Sequence, residues 1–138
     1  MKNTIIFLIL LVIFLTSGLF TACDDTITNQ NIDAIIIPSS NVSYSQYIQP
    51  LFNIKCTSSG CHDNASRAGG LSLTTYSNVI ADPSVVFPGQ PENSILVWAI
   101  EGNAGAKPMP PITAPVTPMT QNQVQGIKTW IKEGAQNN

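Results

Sequence analysis

The sequence is short of the residues on which most enzyme chemistry depends. Its 138 residues include one His, three Cys, 6 Lys+Arg and 8 Asp+Glu, so charged residues make up 10% of the chain. No glycine-rich phosphate loop is present, which argues against nucleotide enzymes, and a single His with scattered carboxylates is a poor basis for most hydrolases. There is no basic excess. The formal charge is −2, and without residues 1–22 it becomes −3, whereas a nucleic-acid binder is normally basic. No repeat of useful period is visible, which excludes a solenoid. At this length the chain holds one domain at most.

What is present begins with a leader. Lys2 is followed by an uninterrupted apolar run from Ile5 to Leu15, too short to span a bilayer, and then by small residues up to Cys23. Residues 1–22 therefore read as a signal peptide. Phe20-Thr21-Ala22-Cys23 resembles a bacterial lipobox, with Phe20 where Leu is usual, which makes Cys23 the expected lipidation site and the membrane a partner through that anchor. Residues 23–42 read as a lipid-anchored flexible tether with room for a short docking segment, and 43–138 as the folded domain. The expected location is the bacterial cell envelope, on a periplasmic membrane face or the cell surface.

Hydrophobic spacing predicts mostly helix. Ser43-Tyr44-Ser45-Gln46 has the form of a capping box, and Tyr44, Tyr47, Ile48, Leu51 and Phe52 share one helical face, with Pro50 expected to kink or shorten the helix. A loop-like stretch, 63–90, leaves room for a short helix around 75–80. Pro91 to Ser94 opens a second clear helix over Ile95–Ile100, with Gly102 near its end. Residues 102–118 carry five prolines and cannot form a long helix. Thr120 and Gln123 make another capping box for a last helix, whose Val124, Ile127, Trp130 and Ile131 face inward until Gly134. Loops this long are uncommon in a small domain unless something functional organises them.

Cys56-Thr57-Ser58-Ser59-Gly60-Cys61-His62 is the segment that demands a chemical explanation. It is C-x4-C-H, a widened form of the C-x-x-C-H haem attachment signature. A rigid macrocycle requires both sulfurs and the imidazole to come from one compact turn, and two extra residues can be looped out if small and flexible. Taken singly, two nearby Cys in an exported domain usually form a disulfide, and a lone His is usually structural. A soft copper site built from Cys56, Cys61, His62 and Met109 is a further alternative, weakened by the tendency of a dithiol to oxidise in this compartment.

The ordered set of motifs from about Tyr44 to Asn137 resembles the small cytochrome c domains of bacterial secreted proteins and lipoproteins, including the planctomycete type. The segments carrying the likeness are Ile48-Gln49-Pro50-Leu51 leading into the Cys motif, Gly69-Gly70-Leu71-Ser72-Leu73, Pro88-Gly89-Gln90-Pro91, Lys107-Pro108-Met109-Pro110-Pro111 and Ile127-Lys128-Thr129-Trp130-Ile131. The four-residue spacer departs from the usual pattern and bears on which maturation system loads the haem. The resemblance implies an all-α, cytochrome c-like fold of three to four short helices with long loops wrapped around one covalently bound haem c, which would itself form the core. By position it implies thioether links at Cys56 and Cys61, His62 as proximal iron ligand and Met109 as distal ligand. A thioether is a soft ligand, and the prolines flanking Met109 stiffen its loop; Met119 is the rival. Leu71, Leu73, Trp98 and Trp130 read as haem-pocket or core residues.

The function so implied is one-electron transfer to other redox proteins of the envelope, without catalysis, since both axial positions are filled by protein. A haem-free binding or scaffold lipoprotein stapled by a Cys56–Cys61 disulfide remains the alternative, and a small haem peroxidase would require an open distal site.

Overall fold

The computed structural model describes residues 28–138. The leader and Cys23 lie outside the described residues. Five α-helices and no strand occur among the described residues, in line with the all-α expectation, and none of these helices is long and apolar enough to cross a membrane.

Helix α1 (Asn29–Ala34) starts at Thr28, whose hydroxyl accepts from the Asn31 amide. Helix α2 (Gln49–Lys55) follows directly on a π-helical turn, Tyr44–Ile48. This is how the chain resolves Pro50. The turn before it widens, with the Gln49 amide reaching back to the Tyr44 carbonyl, and proline then occupies the first turn of a new helix, where its missing N–H costs nothing. Ser43 caps the turn as expected, accepting from the Gln46 amide at 3.2 Å. Helix α3 is a single turn, Tyr76–Val79, capped by Thr75.

Helix α4 (Ile95–Glu101) ends on Gly102, whose φ of 68° is the left-handed conformation that closes a helix. Helix α5 (Gln121–Lys132) opens on the complete Thr120–Gln123 capping box. Its inward face, Val124, Ile127, Trp130 and Ile131, is buried as its spacing predicts.

These helices make a continuous protein core. Ile48 of the π-helical turn and Leu51 and Phe52 of α2 are buried in one cluster with Ile127, Trp130 and Ile131 of α5 and Val97 of α4. Tyr44 stands edge-on to Tyr76, with ring centroids 5.1 Å apart, and tilts against Trp130 at 5.2 Å. The cavity described below lies against this cluster, sharing Leu73 and Leu96 with it.

The reading of 23–42 as a flexible tether is also corrected for its described part. Ile32, Ile37 and Val42 are buried. The Asn122 side chain of α5 accepts from the Ile37 amide at 2.8 Å and donates to the Ile37 carbonyl at 3.0 Å. The Glu133 carboxylate accepts from the amides of Asn41 and Val42, at 2.7 and 2.9 Å. With Ile32, Ile37 and Val42 buried and the backbone of residues 37, 41 and 42 paired with Asn122 and Glu133, the segment is part of the domain, although Ile35 and Ile36 remain exposed.

Candidate functional site

Helix α2 ends at Cys56, and the chain turns at once. The Cys61 amide donates to the Ser58 carbonyl at 2.9 Å, and the His62 amide closes the loop on the Cys56 carbonyl at 3.0 Å. Gly60, at φ 87°, supplies the left-handed residue the turn requires, and its amide is held by Ser66 Oγ. Two further backbone bonds fix the exit, Ala68 to Cys61 and Leu73 to His62, both 2.9 Å. The widened spacer is thus an ordered loop that delivers two thiols and an imidazole from seven consecutive residues.

The middle region, irregular in sequence, is organised by side chains. Asn64 Oδ1 accepts from Ser72 Oγ and Thr74 Oγ1, each at 2.8 Å, and from Asn78 Nδ2 at 3.3 Å. Asp63 Oδ1 accepts from the Ala65 and Ser66 amides, and these hydrogen bonds, with the Ser66 side chain, hold its carboxyl below 3.8. This network fixes Leu71 and Leu73.

Cys56, Cys61, His62 and Met109 line one half-open cavity of about 270 Å³. Its remaining wall is almost wholly apolar, with Leu71, Leu73 and Leu96 among the contributors. Met109 is half-buried and tied to α4 by its amide, which donates to the Ala99 carbonyl at 2.9 Å. Met119 lines the same cavity. The structure therefore brings both thioethers to the site. Trp130 belongs to the core, and Trp98, half-buried, donates its indole N–H to the Glu92 carbonyl.

Neither Cys56 nor Cys61 is in a disulfide. Burial, followed by the neighbouring Cys61 thiol, pushes Cys56 up to about 12, so it stands as a neutral thiol. His62 Nδ1 is buried without a hydrogen-bond partner among the described residues. An orphaned imidazole nitrogen, two free thiols and two thioethers on an apolar wall are a donor set that fits a haem c. No group of three or more His, Cys, Asp or Glu residues suited to a metal ion occurs among the described residues.

Among the residues of this wall that the sequence reading missed, one is charged. Lys55 has a side chain with 0% exposure, and it also lines the cavity. Its signal was positional: Lys55 follows Ile48, Leu51 and Phe52 at spacings of seven, four and three, on the apolar face of the helix.

Residues 59–112 match the family model for Planctomycete cytochrome C. The matched segment takes in Cys61, His62 and Met109 and leaves out Cys56 and Met119. No curated protein and no solved structure matches the chain.

Proposed function

We propose, from the match of residues 59–112 to the Planctomycete cytochrome C family model, that the chain is a monohaem electron carrier of the bacterial cell envelope, tethered by lipid at Cys23. The observation that carries the reading is the convergence of Cys56, Cys61, His62 and Met109 on one apolar cavity.

Cys56 and Cys61 would hold the haem, each thiol adding its sulfur and hydrogen across a vinyl group, and His62 and Met109 would ligate the iron. Bound in this way the group supplies a one-electron couple, with a potential raised by His/Met ligation over two nitrogen ligands. The protein's own contribution is placement. The loop closed between Cys56 and His62 would present the thiols and the imidazole to the group, the Met109 amide on Ala99 would hold its thioether in place, and Leu71, Leu73 and Leu96 would supply an apolar wall. With His62 and Met109 both holding the iron, the group would serve electron transfer and would offer no free site to oxygen or substrate. Redox partners would meet it through small, weak interfaces that permit rapid exchange.

The test is the absorption spectrum of protein from its native membranes, or from a host able to load the wider spacer. A reduced haem c spectrum that survives denaturation, with a sulfur-to-iron band lost in Met109→Ala and kept in Met119→Ala, is expected. Loss of the band only in Met119→Ala would reassign the distal ligand. A colourless native protein with Cys56 joined to Cys61 would overturn the reading in favour of a disulfide-stapled scaffold.

A further inference from the structure

A buried lysine beside the site has more partners than a structural ion pair needs. Lys55 Nζ lies 2.7 Å from Asp33 Oδ1 and donates to Thr117 Oγ1 at 2.7 Å, to the Thr117 carbonyl at 3.0 Å and to the Pro118 carbonyl at 3.1 Å. Thr117 Oγ1 in turn donates to Asp33 Oδ2 at 2.6 Å. Gln123 Nε2 completes the knot, reaching Asp33 Oδ1 at 3.0 Å and the Ile32 carbonyl at 3.2 Å.

Four pieces of chain meet here: α1, the end of α2 immediately before Cys56, the end of the proline-rich loop immediately before Met119, and the first turn of α5 at Gln123. A charge held out of water is tolerated only while its partners stay in place, so losing any one weakens the hold on the others. The prolines at 110, 111, 115 and 118 make the loop stiff between its two attachments, Ala99 and Lys55.

We propose that Asp33 and Thr117, closing on the buried Lys55, form a latch that makes docking of segment 28–42 and closure of the 112–119 loop, with Met119, over the cavity a single event. Release of the N-terminal segment would therefore open the cavity wall, and opening the loop would free the segment. The latch acts through position alone and holds whether or not the cavity carries a haem.

Reciprocity distinguishes a latch from ordinary stabilisation. Asp33→Asn alters the segment side, and Thr117→Val alters the loop side; both nearly conserve volume. Amide exchange of the full-length protein, resolved by NMR, follows Ile32 and Ile37 on the segment, Ala114 in the loop and Ile127 to Ile131 in α5. The Ala114 amide is protected by the Pro111 carbonyl and that of Ile37 by Asn122, so each reports opening. Each variant is expected to speed exchange on both sides by on the order of tenfold, with α5 unchanged and the double variant no faster than either single one. If Asp33→Asn loosened only the segment and Thr117→Val only the loop, the latch would be refuted. Acceleration in α5 equal to that at Ala114 would also overturn it, by showing loss of global stability only. A colourless protein would sink the haem reading while leaving these exchange outcomes decisive for the latch.

Discussion

Gly126 lies in the middle of α5 and faces Ile37 so closely that a Cβ there would meet Ile37 Cγ2 at 2.6 Å, Cδ1 at 2.8 Å and Cβ at 2.9 Å. In an exposed helix interior, Gly→Ala would stabilise by about 1 kcal/mol through propensity alone. Here three atoms of one β-branched side chain stand in the way, and a β-branched residue has little rotamer freedom with which to retreat. Its backbone cannot yield either, being held at both amide and carbonyl by Asn122. Overpacking of this kind costs ~1–3 kcal/mol, so Gly126→Ala should be neutral to destabilising by about 2 kcal/mol net. The sharper test is the change of sign. Ile37→Ala alone should cost ~2–5 kcal/mol, and adding Gly126→Ala in that background should recover about 1 kcal/mol. Urea unfolding followed by far-ultraviolet circular dichroism measures all four proteins of the cycle. Stabilisation of the parent chain by Gly126→Ala to the same extent as in the Ile37→Ala background would show that residues near 37 do not pack on α5, and the docked segment would have to be abandoned.

Two further outcomes follow from the titrating groups. Burial raises Asp33, but hydrogen bonds from Lys55, Thr117 and Gln123 outweigh it and hold the carboxyl below 3.8. A depressed carboxylate contributes stability that is fully present above 3.8 and is lost as pH falls through the folded value. The stability gap between the parent protein and Asp33→Asn should therefore be widest near neutrality and should close in strong acid, and a gap constant with pH would contradict the assigned partners. Cys56, pushed up to about 12, should be alkylated by iodoacetamide far more slowly in folded, cofactor-free protein at mildly alkaline pH than in urea. Equal rates by mass spectrometry would refute the raised thiol pKa.

The helices legible in the sequence are those whose signals are local. The Thr120–Gln123 box and the Val124, Ile127, Trp130, Ile131 face specify α5 within a dozen residues, and Gly102 marks the end of α4. The Cys–His loop was legible for the same reason. The docked segment was not, because Ile32, Ile37 and Val42 recur every five residues, matching neither the helical nor the strand period, and their polar partners Asn122, Gln123 and Glu133 lie about ninety residues away. Lys55 was hidden by the ordinary rule that a lysine on a helix is solvated. Met119 shares the cavity with Met109 because the proline-rich chain between them folds back, which no periodicity encodes.

The docking of segment 28–42 also limits how far the domain can travel. Had the whole of 23–42 been free, the domain would have roamed many tens of ångströms from a lipid on Cys23. With the described chain ordered from the helix cap Thr28 onward, five residue steps separate it from Cys23, and fully extended they would cover only about 18 Å. A lipid at Cys23 would thus keep the domain against the bilayer on a short leash. A partner able to exchange electrons with it would have to come to the membrane surface, and would approach from the sides the leash leaves open.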